Sequence, residues 1–148
     1  MSTATNETIR IGALGVRFLI EGADSNGGAA VFECFIPAGA ALPGAHSHDG
    51  YEETVYGLEG VSTWTVEGET TELRPGEAIC IPRGAVHRFD NVGAQDAKVL
   101  AIVTPGILGP DYFREVGAVV NAAAGGPPDR AAVGEVMRRH GLTPAPPA

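Results

Sequence analysis

Residues 76–91 read Gly76-Glu-Ala-Ile-Cys-Ile-Pro82-Arg-Gly84-Ala-Val-His87-Arg-Phe-Asp-Asn91. Gly76, after Pro75, makes one turn, and Pro82 and Gly84 make a second. The apolar run between them has strand length. The second turn aims the next strand, so that His87 enters it at a fixed place. Side chains alternate across a strand, which puts Phe89 on the face of His87 and Arg88 on the opposite one. Asn91 closes that strand, because its side chain can bond its own backbone in a turn.

The same pattern runs outward in both directions. From Thr8 to about Thr104 the chain is written in short β-branched and aromatic runs: Ile9–Ile20, Ala30–Ile36, Glu53–Gly60, Val61–Gly68 and Ala97–Thr104. Gly, Pro or Asn closes each of them. In residues 61–66, Ser62, Trp64 and Val66 alternate with Val61, Thr63 and Thr65. Strands spaced about 8–12 residues apart with turn signals between them predict an antiparallel sandwich or barrel.

The periodicity changes after Pro105. Pro110-Asp111 predicts a helix start, with Phe113, Val116 and Val120 on one face, and Gly125-Gly126-Pro127-Pro128 ends it. Asp129 offers an N-cap to a second helix carrying Val133, Val136, Met137 and His140, and Gly141 supplies its stop. The expected layout is a loose tail over 1–7, a β core over 8–104, a helical extension over 105–142 and a loose tail over 143–148. The two helices are too short to form a second domain.

Composition narrows the function classes. The 148 residues carry a net charge of −8, with 44% hydrophobic residues, 21 Gly, 11 Pro and one lysine, Lys98. An acidic surface repels phosphate backbones and anionic lipid heads, so neither nucleic acid nor a membrane is expected as a partner. Cys34 and Cys80 lie in apolar strand-like runs and read as small buried hydrophobes. No basic segment leads into an apolar one at the start, which makes the cytoplasm the expected location.

The chemistry sits in His46-Ser-His48-Asp-Gly-Tyr51-Glu52-Glu53 and at His87. Two histidines at i and i+2 on an extended segment project to one side, and imidazoles with a nearby carboxylate suit first-row metals. Taken singly, each of these histidines reads equally as a solvated or packed side chain. His140, the fourth, falls in the last helical turn, where a cation suits the helix dipole.

Read together, the two clusters resemble the motifs of the cupins. The first cupin motif, G-x5-H-x-H-x3,4-E-x6-G, is met by His46-x-His48-x4-Glu53-x6-Gly60. The second, G-x5-P-x-G-x2-H-x3-N, is met at Gly76, Pro82, Gly84, His87 and Asn91. One position departs: Ala40 stands where the first motif opens with glycine, and Gly39 lies one place early. The family's spacing selects Glu53 over Glu52, because Glu53 stands six residues from Gly60. The resemblance spans about residues 30–104. It implies an all-β jelly-roll barrel, or double-stranded β-helix, with two short C-terminal helices appended. It also implies one divalent transition metal per chain (Fe, Mn, Ni, Co or Zn), held by His46, His48, Glu53 and His87.

Cupins host many activities, so the fold alone does not fix one. The first expectation is a dioxygenase similar to small quercetinase-like bacterial cupins. Its substrate would be a flavonol-, diketone- or catechol-like molecule that chelates the metal, with Glu53 also acting as a catalytic base. Metal-assisted isomerisation or cyclisation is the second expectation, and non-catalytic binding of a small molecule the third. A sugar-phosphate isomerase needs a basic cluster, which the barrel lacks. Tyr51, Trp64 and Phe89 are candidates for the pocket wall. Outward apolar residues such as Leu58 and Val61 point to a homodimer formed by sheet packing.

Overall fold

A computed structural model of the chain describes residues 7–146. The tail expected over 1–7 lies outside the described residues except for Glu7, whose carboxylate meets Arg114 at 2.6 Å.

The strands are β1 (Ile9–Ile11), β2 (Leu14–Ile20), β3 (Ala30–Ile36), β4 (His46–His48), β5 (Glu52–Glu59), β6 (Ser62–Val66), β7 (Glu69–Leu73), β8 (Ala78–Ile81), β9 (His87–Asp90) and β10 (Ala97–Thr104). Helices α1 (Pro110–Ala122) and α2 (Arg130–Arg139) follow, and then strand β11 (Leu142–Pro144). One sheet has the order β1-β2-β3-β10-β5-β8, the other β11-β4-β9-β6-β7. Every pairing is antiparallel. The two sheets form the jelly roll that the cupin resemblance implies, within the antiparallel sandwich or barrel expected from strand spacing.

Alternation places the core. In β10, Ala97, Val99, Ala101 and Val103 are buried while Lys98, Leu100 and Ile102 face outward and are half-buried. Phe18 of β2 stacks on Phe32 of β3 at 4.9 Å between ring centroids, and Phe113 of α1 packs against both. Helix α1 thereby closes on the inner face of the larger sheet.

Two glycines explain how the motifs hold their shape. Gly60 has φ 65°, and a Cβ there would stand 2.3 Å from the Asp96 carbonyl oxygen. No other residue fits that turn. At the other turn Gly39 takes φ 81°, so the glycine of the first motif has moved one place and Ala40 is free to be buried.

Both helices form as expected, and the Asp129 side chain accepts from the Ala132 amide at 3.1 Å. Beyond them the structure corrects two expectations. The loose tail over 143–148 begins instead as a strand: Leu142, Thr143 and Pro144 pair with His48, Ser47 and His46. Gly141, at φ 81°, turns the chain back, and the open edge of β4 offers the backbone groups that a strand edge must satisfy. Thr143 also donates to Asp49 at 2.6 Å. The second correction is Cys80. It is exposed, on the outer face of edge strand β8, whereas Cys34 is buried.

Candidate metal centre

His46 and His48 lie at the two ends of β4 and point inward, with Ser47 between them facing out. His87 opens β9 and stands directly opposite His46 in the ladder. Glu53 comes from the other sheet, opposite Ile81 of β8 and Val103 of β10. The residues of the site therefore bridge the two sheets.

The three imidazoles converge, with one ring nitrogen from each within 4.8 Å of the others. The Nε2 atoms of His46 and His48 are 3.2 Å apart. Glu53 is not one of that close set; its Oε1 stands 3.7 Å from His48 Nε2 and 3.9 Å from His87 Nε2. All four side chains are buried.

The hydrogen bonds fix two of the tautomers. His46 Nδ1 donates to the Gly44 carbonyl at 3.1 Å, and His87 Nδ1 donates to the Ala85 carbonyl at 3.0 Å. A carbonyl only accepts, so both Nδ1 atoms carry protons and both Nε2 atoms present lone pairs. In each case the partner is the carbonyl two residues earlier, part of the turn that leads into the strand. His48 is oriented differently: its ring stacks on Tyr51 at 4.4 Å, and its buried Nδ1 has no partner.

Electrostatics favour a cation here. Burial lowers His46 to about 3, helped by His87. Burial likewise lowers His48 to about 2, with His46 and His87 adding to the effect, and it lowers His87. The imidazoles are therefore neutral, as metal ligands must be. Burial pushes Glu53 up to about 7. A carboxylate sunk among neutral rings, with lone pairs aimed at one point, is a donor set that a divalent cation completes. His46, His48 and His87 would hold such a metal with Glu53 beside them, and the metal would act there as a Lewis acid or redox centre.

The neighbouring carboxylate is not part of the site. Glu52 turns outward to Arg83, whose Nη2 donates to it at 2.9 Å. Strand alternation separates the two glutamates, and the larger sheet draws Glu53 inward.

A cavity of about 70 Å³ adjoins the cluster, lined by His46, Glu53 and His87 among mostly apolar side chains. Trp64 and Phe89 line it as expected, stacked on each other at 4.7 Å. Tyr51 does not. It packs behind His48, fully buried, because the turn at Asp49-Gly50 brings its ring flat against the imidazole. Sequence reading missed the wall supplied from beyond residue 104: Leu108, Tyr112, Phe113, Val116, Met137 and Leu142. The apolar face of α1, read through Phe113 and Val116, was the available signal.

A jelly roll that gathers three inward imidazoles beside an apolar cavity defines the class. The profile of the cupin domain family matches residues 32–103, and the chain belongs to the cupin superfamily. It is 32% identical to quercetin 2,3-dioxygenase of Bacillus subtilis over 72 residues, 49% of this chain and 21% of the relative. It is 38% identical to polyketide synthase CurC of Streptomyces cyaneus over 60 residues, 40% of this chain and 39% of the relative. The chain thus spans well under half the length of either. A "predicted oxalate decarboxylase" of Thermotoga maritima has the same fold, with TM-score 0.63 and 23% identity over 70% of this chain and 94% of that one. No helix among the described residues is long and apolar enough to cross a membrane.

Proposed function

We propose that this cupin is a metal-dependent dioxygenase acting on a small organic molecule that chelates the metal through oxygen atoms. The observation that carries the reading is the cluster of three neutral imidazoles, with Glu53 beside it, facing a mostly apolar cavity. Three imidazoles leave coordination positions open for a chelating substrate and dioxygen. Glu53, raised to about 7 by burial, suits the role of a base that takes the substrate's acidic proton. The likeness to a quercetin dioxygenase points the same way.

Protein purified without a histidine tag should carry close to one transition metal per chain, and His48→Ala or His87→Ala should strip it. Retained stoichiometric metal in both variants would overturn the site. Oxygen uptake by iron- and nickel-loaded protein, measured against diketones, catechols and flavonols, tests the reaction class. Metal-assisted isomerisation or cyclisation is a second reading, supported by the likeness to a polyketide synthase. Turnover without oxygen uptake would favour it.

We also propose a homodimer through the outer face of the larger sheet. Val31 and Phe35 of β3, Tyr56 and Leu58 of β5, and Leu100 and Ile102 of β10 place apolar side chains on that face, around the ion pairs of Glu33 with Arg17 and Lys98.

A further inference from the structure

The cavity wall holds few polar groups. Beyond His46, His87 and Glu53 they are the Cys34 thiol, the Trp64 indole and the Tyr112 phenol. The indole is satisfied, since Trp64 Nε1 donates to Ser62 Oγ at 2.9 Å. The thiol is a weak donor, and burial followed by the charge of Glu53 pushes it up to about 12. Tyr112 is different. It is 5% exposed, and its hydroxyl makes no hydrogen bond to any described residue. The Tyr51 hydroxyl is sealed inside protein, but the Tyr112 hydroxyl is not among the sealed atoms. A buried phenol of this kind normally finds a partner.

Its ring is held in place. Phe113 meets it edge-on at 5.0 Å and His140 at 5.6 Å, and His140 is itself tied to Glu115 at 2.8 Å. The phenol is close enough to Glu53 for that charge to raise it, after burial itself. Tyr112 therefore offers one O–H donor on the wall that α1 supplies, within electrostatic reach of Glu53.

Size and charge limit what that donor meets. An apolar cavity of about 150 Å³ holds benzene, and this one measures about 70 Å³. Any organic ligand must therefore displace part of the C-terminal wall, and a three-ring flavonol far more of it than a five-carbon dicarbonyl. No Lys or Arg lines the cavity, so nothing in the protein wall offsets a phosphate or a second carboxylate.

We propose that Tyr112 is a substrate-positioning residue, donating a hydrogen bond to an oxygen of a compact, mostly apolar dicarbonyl or hydroxycarbonyl compound. This deepens the proposed function and rests on it. Tyr112 lies in α1, outside the segment that matches the family, so the residue that selects the ligand comes from the extension and the metal ligands from the barrel.

The chain has a single tryptophan, Trp64, and it lines the cavity, so its fluorescence reports occupancy. The test loads full-length protein with zinc, which is redox-inert, and titrates it with pentane-2,4-dione, quercetin and acetyl phosphate. The dione should quench Trp64 at lower concentration than either of the others. Tyr112→Phe should weaken dione binding about three- to tenfold, the loss of one neutral hydrogen bond, with zinc content and melting temperature unchanged. Equal dione affinity in wild type and Tyr112→Phe would overturn the positioning role. Tighter binding of quercetin or acetyl phosphate would overturn the substrate class. Tyr112→Ala, which enlarges the cavity, should shift preference toward quercetin, and an unchanged preference would count against the size argument. Failure of wild type to bind zinc would instead overturn the proposed function, so the two failures are distinct.

Discussion

Glu53→Gln should make the metal-free protein more stable at neutral and alkaline pH while weakening its hold on metal. Glu53 is 9% exposed and faces no Lys or Arg, so ionising it inside the protein is costly. Burial moves its pKa from 4.5 to about 7. At about 1.4 kcal/mol per pH unit, that rise corresponds to a penalty of about 3 kcal/mol once the pH exceeds both values. The unfolded chain releases the proton near pH 4.5 and the folded chain only near 7, so the penalty grows as pH rises between those values. Below about pH 4 both states hold the proton and the penalty vanishes. Glutamine keeps the shape and removes the charge. Chelator-treated wild type and variant should therefore melt together near pH 4, and at pH 8 the variant should melt higher by about 10 °C. Thermal melts across pH 4–8, with metal removed, are the assay. A variant no more stable than wild type at pH 8 would refute the idea that the site stores an uncompensated carboxylate. Wild type should regain the deficit on adding zinc, because binding stabilises only the folded state.

The histidines make the opposite prediction. His46 and His48 are held near 3 and 2 against an ordinary 6.5, chiefly by burial, so the unfolded chain takes up protons that the folded chain refuses. In a metal-free Glu53→Gln background, stability should fall as pH drops from about 6.5 toward 3; a flat profile in urea titrations would mean that the imidazoles are not buried neutral. The proposed dimer is tested on its surface. Tyr56, 40% exposed on β5, should tolerate Tyr56→Glu within the monomer, and light scattering should then report one chain in place of two. A wild-type mass of one chain would refute the dimer.

The β core and the convergence of the three histidines were legible because each rests on local rules. Alternation in Ser62–Val66 and in His87–Asp90 sets which side chains face in, and that parity holds in the folded chain. Turn glycines fix where the strands begin. The choice of Glu53 over Glu52 rests on family spacing; strand alternation turns Glu53 inward and Glu52 outward, where Glu52 meets Arg83 across 31 residues. Tyr51 was misplaced because parity with Glu53 predicts its side but not its depth; the intervening turn decides that it lies behind His48. Cys80 was misplaced because an apolar run shows that a strand exists without showing whether it lies at an edge. Strand β11 was invisible for a similar reason. Leu142–Pro144 has little strand propensity of its own and is recruited by the unpaired edge of β4, a tertiary cause.

That recruitment joins the two halves of the site. Leu142 lines the cavity and also pairs with His48 across the ladder. Met137, in the last turn of α2, lines the same cavity, and a Cβ added at Gly44, whose carbonyl orients His46, would stand 3.9 Å from its methyl group. Lifting the C-terminal segment to admit a ligand would leave the strand that carries His46 and His48 paired on one side only, through His46 and His87. Displacing that segment and loosening two of the three clustered histidines are thus mechanically linked. A bound metal, by holding β4 in register, would stabilise the closed form of the segment that lies outside the family's barrel. The barrel supplies the histidine cluster, and the extension supplies the wall that covers the cavity beside it.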